Sequence, residues 1–275
     1  MFTFIITVCF VSKAKSKNYA TSRSVQQKLL KRRADAILVE TGHATSRERA
    51  QHLIDQGGVF ADGLAVTKAS KLLPPDCVLD VRSAGIKWVS RAGLKLVGAL
   101  DHFTAISLSG KKALDIGAST GGFTEVMLAH GAAHVIALDV GRGQLHDSLS
   151  SDSRVTVLDG MNARHLTQSD IPFAPEIITC DASFISLAKL LPAVLDLAAP
   201  DAVLIALIKP QFEVGKGLVG KGGIVRDATL HDRVVADVRN WLCHEIGWRL
   251  IGVTNSPIDG PDGNREFLIA AQKPS

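Results

Sequence analysis

The sequence predicts an α/β chain: a doubly wound, Rossmann-like sheet preceded by a small α+β domain. Three observations carry that prediction. From residue 110 onward, short apolar runs rich in Val, Ile and Leu alternate with helical patterns, as parallel strands joined by helical crossovers do. The first run breaks into a glycine-rich turn, Leu114-Asp115-Ile116-Gly117-Ala118-Ser119-Thr120-Gly121-Gly122-Phe123. Residues 34–82 instead show two helical patterns and a hairpin. A chain of 275 residues, 46% hydrophobic, has room for both units.

The first thirty-odd residues stand apart. "MFTFIITVCFV" is apolar for eleven residues, too short to span a bilayer, and it lacks the charged start of a secretory signal. Residues 1–33 hold eight Lys or Arg and no acid, whereas residues 101–275 hold fifteen basic and twenty acidic residues. Residues 1–32 are expected to be a disordered tail. A basic arm beside a small domain suits a polyanion partner, because phosphate neutralisation drives such binding; a solvated tail is the plain alternative. Cys9, Cys77, Cys180 and Cys243 are scattered without a Cys-x-x-Cys pair. That argues against a metal site and fits a reduced, cytoplasmic chain. No stable membrane insertion is expected.

In the small domain, "RRADAILVETG" reads as a helix with Ala36, Leu38 and Val39 partly inward, stopped by Gly42. Thr45 and Glu48 have capping-box spacing, and the helix Ser46 to Gln56 places Ala50, Leu53 and Ile54 on one face. "VFADGLAV" is a hairpin turning at Asp62-Gly63, and a last short strand spans Cys77 to Val81. Arg47 and Arg49 lie in the first turn of the second helix, against the dipole preference; facing phosphates would explain that. The stretch "SRERAQHLIDQGGVFADGLAVTKASKLL" resembles the S4-type RNA-binding domain, over residues 33–90. The resemblance implies RNA contacts from Arg33, Arg47, Arg49 and Lys68, with Arg91 just beyond.

In the large domain, over 91–275, strands are expected at Ala113–Ile116, Val135–Leu138, Val155–Leu158, Ile177–Cys180, Val203–Ile208, Leu250–Val253 and Phe267–Ala271. Helices are expected at Phe123–His130, Leu187–Leu197 and His231–Glu245. The last two strands, joined by "NSPIDGPDGNRE", are read as an antiparallel hairpin. Trp88 is read as packing the junction between the domains, and Gly215, Gly217, Gly220, Gly222 and Gly223 as a flexible loop, plausible as a lid.

Ligands of such sheets bind beyond the carboxyl ends of the strands, at the switch point. A dinucleotide turn reads G-x-G-x-x-G; here the second glycine is missing and Asp115 opens the turn. An acid there favours a cationic, phosphate-free nucleotide, S-adenosyl-L-methionine, over NAD. Asp139 ends the second strand, where it can accept ribose hydroxyls. Asp159, with Gly160 and Met161, follows the third on the adenine side. Gly117, Ser119, Gly121, Gly122 and Phe123 complete the expected cofactor set. Each acid taken singly could instead be a helix N-cap.

Three further residues fall at the same sheet edge: Asp181 in "CDASFISL", Lys209 in "IKPQFE" and Glu266 in "GNREFL". Lys95, in "SRAGLKL", is a fourth candidate that spacing alone does not place. A half-buried lysine beside another cation can have a lowered pKa and act as a base toward a ribose 2′-hydroxyl. An ion-pair network without catalysis is the alternative.

Together "LDIGASTGGF", "CDASFISL", "IKPQFE", "KGGIVRD" and "SPIDGPDGNREF" resemble the TlyA family, long described as haemolysins. Its members join an S4-type domain to an FtsJ-like methyltransferase domain. The resemblance covers residues 33–272. It implies a Lys-Asp-Lys-Glu tetrad at Lys95, Asp181, Lys209 and Glu266. It also implies 2′-O-methylation of cytidine in 16S or 23S rRNA, with ribosomal subunits or rRNA as partners. A membrane-active haemolysin, supported only by the apolar start, is the competing reading, and an NAD(P)-dependent dehydrogenase a third. The first thirty residues depart from the family pattern.

Overall fold

The computed structural model describes residues 31–275 except 45, 56, 82–87, 216 and 261–262. The N-terminal stretch 1–30, the Thr45–Glu48 capping box and the Arg49 side chain therefore lie outside the described residues. The chain divides into two compact units near residue 82.

The first unit is described from residue 31 onward. β1 (Arg32–Arg33) pairs antiparallel with β4 (Leu72–Leu73). α1 (Ala34–Glu40) buries Ala34, Asp35, Ile37 and Leu38. It ends where the Thr41 N–H and hydroxyl both return to the Ile37 carbonyl and Gly42 turns left-handed. α2 (Arg47–Asp55) leads to the hairpin of β2 (Val59–Ala61) and β3 (Leu64–Ala65). Asp62 and Gly63 both have positive φ, 49° and 77°, the type I′ geometry that matches strand twist. β5 (Leu79–Val81) completes a sheet of order β3-β2-β5, starting two residues later than expected. Leu38, Ile54, Val59, Val66 and Leu73 form its core.

The second unit opens with α3 (Gly93–His102) and then winds a seven-stranded sheet. Its strands are β6 (Lys112–Ile116), β7 (His134–Asp139), β8 (Val155–Asp159), β9 (Ile177–Cys180), β10 (Val203–Ile208), β11 (Arg249–Asn255) and β12 (Phe267–Gln272). The helices are α4 (Gly122–Ala129), α5 (Asp147–Ser150), α6 (Leu187–Leu190), α7 (Pro192–Asp196), α8 (Pro210–Glu213) and α9 (Ala228–Asn240). The spatial order is β11-β12-β10-β9-β6-β7-β8. The first five strands in sequence are parallel, and β12 runs antiparallel to both β10 and β11. The expected helix 187–197 is split because Pro192 has no N–H to continue the first segment and starts the second instead. Past Asn240, α9 gives way to a π-helical turn, Trp241–Glu245.

Strand alternation builds two cores. Leu114, Ile116, Leu138, Ile178, Leu204 and Ile208 point to one face, under α6, α7 and α9. Ala113, Val135, Ile177, Ile205 and Leu207 point to the other, under α3 and α4. Both faces are covered, so the strands read as continuous apolar runs. Trp88, expected at the domain junction, is buried in this second core.

Candidate active site

The switch point lies between β6 and β9: the chain leaves β6 toward β7 and β8, then returns to β9 on the other side. Register fixes what meets there. Ile116 pairs with Cys180, Cys180 with Ala206, and Ile208 with Phe267. Asp181 and Lys209 therefore sit one residue past the ends of β9 and β10. Glu266 sits one residue before β12, whose reversed direction brings its start to the same tips.

These three side chains meet Lys95 in one cluster. Lys209 Nζ is 2.6 Å from Asp181 Oδ1, and it donates to the Asp181 carbonyl at 3.2 Å and to Ser183 Oγ at 3.0 Å. Lys95 Nζ is 3.3 Å from Asp181 Oδ2 and 2.7 Å from Glu266 Oε2. Lys95, Lys209 and Glu266 are buried and Asp181 is half-buried. Two cations and two carboxylates leave the cluster formally neutral, which makes its burial tolerable. Burial alone would lower the Lys95 pKa, but Asp181 and Glu266 outweigh it and push the ammonium above its ordinary range. Lys95 engages Glu266 Oε2, while Oε1 has no partner among the described residues, so this buried carboxylate keeps accepting capacity.

Close glycine contacts position Lys95, which spacing did not place. A Cβ on Gly122 would lie 2.4 Å from Ser90 Oγ and 2.9 Å from the Gly93 nitrogen. The start of α3 thus rests on the start of α4. Glu125 of α4 accepts the Val89 N–H at 2.5 Å. Together these hold the Lys95 helix against the glycine turn.

The turn itself leaves few donors for a phosphate. The Gly117 and Ala118 N–H groups both go to the Leu138 carbonyl, and that of Gly121 goes to Ala118. The Ser119 N–H goes to Asp139 Oδ2 at 2.9 Å, with Ser119 at φ 48° and Gly121 at φ 98°. Asp139 also accepts from Gly141, and Asp159 from Gly143, each at 2.7 Å. The two acids lie side by side in register and half-exposed. Gly160 turns left-handed over the Arg142 guanidinium, and Met161 packs partly into the core.

Two expected cofactor residues face elsewhere. Asp115 has no exposed surface. It is the fourth residue of β6, and alternation aims it under α4, where Thr124 and Thr179 hydroxyls donate at 2.7 and 2.8 Å. Burial raises its carboxyl to about 6. The Phe123 ring likewise lies in the core, so only its backbone borders the turn. In the first unit, Arg33 and Arg47 are exposed but both bond Asp35, and Lys68 is exposed. Arg91 belongs to the second unit and is half-buried before α3.

Two residues near the cluster escaped the sequence reading. Phe184, three residues past Asp181, is 90% exposed at φ 67°, a conformation that costs a bulky residue about 1–3 kcal/mol and gathers at functional sites. Its ring lies 5.1 Å from that of Phe212. Asn264 is buried; its amide accepts from Val225 N–H and donates to the Gly223 carbonyl, pinning the end of the glycine loop beside Glu266. Neither feature has a periodic signature.

Comparison with known proteins agrees with this architecture. Residues 88–273 match the FtsJ-like methyltransferase family and residues 32–76 the S4 domain. The chain is 49% identical over 238 residues to the 16S/23S rRNA (cytidine-2′-O)-methyltransferase TlyA of Mycobacterium tuberculosis, spanning 86% of this chain and 88% of that one. It is 41% identical to Hemolysin A of Brachyspira hyodysenteriae, covering 86% and 98%. A solved structure named a hemolysin, from Streptococcus thermophilus, superposes with a TM-score of 0.70 at 36% identity, covering 90% of each chain. The chain therefore belongs to the FtsJ-like methyltransferases, in the S4-linked branch that is the TlyA family.

Proposed function

We propose that the protein transfers a methyl group from S-adenosyl-L-methionine to the ribose 2′-hydroxyl of rRNA, at cytidine in 16S or 23S rRNA. The observation that carries this is the buried Lys95–Asp181–Lys209–Glu266 cluster at the switch-point strand tips. The activity named for the Mycobacterium tuberculosis relative supports the same reading. A cytoplasmic location follows from that substrate.

The residues at the turn suit the cofactor. A glycine turn that cradles a pyrophosphate needs free N–H groups, yet within this turn those of Gly117, Ala118, Ser119 and Gly121 are spent on protein acceptors. The half-exposed carboxylates of Asp139 and Asp159 instead favour hydroxyls and amines. Asp139 would hold the ribose hydroxyls, Asp159 with the Gly160–Met161 backbone would border the adenine, and Gly117–Gly122 would line the methionine end. When bound, the cofactor supplies the methyl group and a sulfonium leaving group.

The chain's own residues then act on the acceptor. Lys209 Nζ, once its ammonium has released a proton to solvent, takes the proton of the 2′-hydroxyl as the oxygen attacks. Asp181, touching both lysines, aims that amine. Lys95, held as a cation by two carboxylates, fixes Asp181 and Glu266 in place, and Glu266 Oε1, which has no partner among the described residues, accepts from the ribose. Such in-line positioning accounts for a large part of the rate. Phe184 offers an exposed face on which the target base stacks. Arg33, Arg47, Arg49, Lys68 and Arg91 contribute cations toward phosphates.

Lys209→Ala tests the assignment. Methyl transfer to rRNA should fall by about a hundredfold or more, the usual worth of a general base, while calorimetric binding of S-adenosylmethionine stays near wild type. Undiminished turnover would remove Lys209 from the mechanism.

A further inference from the structure

The first unit holds an arrangement that the strand-tip site does not use. Asp35, in the first turn of α1, is 3% exposed. Its carboxylate accepts from Arg33 Nε at 3.0 Å and Nη2 at 2.8 Å, and from Arg47 Nη2 of α2 at 3.0 Å. The arginine side chains themselves are 44% and 60% exposed. The Arg33 hydrogen bond, reinforced by Arg47, holds the Asp35 carboxyl down to about 2, so it is an anion at any working pH.

An isolated surface ion pair gains little, because ordering two long side chains costs entropy. Here one buried carboxylate orders two arginines at once. A guanidinium has five N–H donors; Arg33 and Arg47 spend only part of theirs on Asp35. What solvent meets is a pair of guanidinium edges, fixed relative to each other, one on strand β1 and one on helix α2. Bidentate donors of this kind match phosphate oxygens, and an already ordered pair binds without the entropy loss of ordering.

We infer that Asp35 is a positioning residue for RNA: it presents Arg33 and Arg47 as a fixed guanidinium pair to backbone phosphates. This rests on the reading of rRNA as substrate. It makes a prediction opposite in sign to simple electrostatics. Removing an acid from a basic face should tighten polyanion binding; removing Asp35 should weaken it.

The test measures binding of the full chain to a labelled stem–loop transcribed from rRNA, by fluorescence anisotropy. Wild type is compared with Asp35→Asn, with Arg33→Gln/Arg47→Gln, and with all three changes combined. Asp35→Asn should raise Kd about tenfold, the order expected when two long side chains must be re-ordered, although net charge rises by one. In methyl transfer the loss should fall on KM for rRNA. The triple variant should match the double, since Asp35 acts only through the arginines. Asp35→Asn binding as tightly as wild type, or tighter, overturns the inference. So does a triple variant weaker than the double, which would mean that Asp35 merely holds the unit folded. A wild-type chain that ignores the RNA but binds vesicles of anionic phospholipid overturns the substrate reading itself, and is recognised by that control alone.

Discussion

Asp115→Asn probes how the buried carboxyl of β6 is tolerated. Burial raises that group from its ordinary 3.8 to about 6, against the two threonine hydroxyls that lower it. In the unfolded chain it titrates near its ordinary value. Between those pH values the folded protein keeps a proton that the unfolded chain has released. The stability contributed by the neutral carboxyl is therefore complete below about pH 4 and lost as pH rises through about 6. At 1.36 kcal/mol per pH unit the loss by neutral pH amounts to about 3 kcal/mol. Asparagine has nearly the same shape and no charge, so it escapes this loss. The variant should gain about 3 kcal/mol on wild type between about pH 4 and about pH 7; any constant offset from rearranged hydrogen bonds cancels. Urea unfolding followed by tryptophan fluorescence measures it. Trp88, Trp241 and Trp248 are the only tryptophans of the chain and all fall in the second unit, so the signal reports that unit alone. Parallel pH profiles for the two proteins would refute the reasoning.

Two other substitutions separate parts of the site. A Cβ on Gly260 would lie 2.6 Å from Glu266 Oε1, so Gly260→Ala should displace that carboxylate. Single-turnover methyl transfer should slow at least about tenfold, as for a small misplacement of a reacting group, with cofactor affinity by calorimetry unchanged. Phe184→Ala removes an exposed ring and eases a strained backbone. It should raise KM for rRNA about tenfold, in line with about 1–3 kcal/mol of base stacking, while thermal stability holds or rises; an unchanged KM counts against the stacking role.

The sheet was readable because its central strands β6, β7, β9 and β10 are apolar on both faces. Ile177–Cys180 and Val203–Ile208 fall where the periodicity puts them, and the Asp62-Gly63 hairpin turns as its dipeptide demands. The strand-tip rule alone also brings Asp181, Lys209 and Glu266 to one edge. Misreadings came from direction rather than position. Asp115 lies at the end of its strand in sequence, but pleating turns it under α4 instead of toward the crevice. Phe123 opens a helix bordering the glycine turn, yet its side chain belongs to the core. Lys95 could not be placed from spacing because Gly93 and Gly122 carry the helix contact that positions it. Phe184 was invisible because a left-handed aromatic leaves no pattern in sequence.

The switch point also divides labour. Asp139 and Asp159 stand on the β7–β8 side of the glycine turn, while Asp181, Lys209 and Glu266 come from β9, β10 and β12 on the other. On the proposed reading, donor recognition and acceptor chemistry occupy opposite banks of one seam, with Lys95 approaching from a helix outside the sheet. Drift on one bank can retune which hydroxyl is methylated while the other continues to grip the same donor. A fold so partitioned can change its clientele without surrendering its fuel.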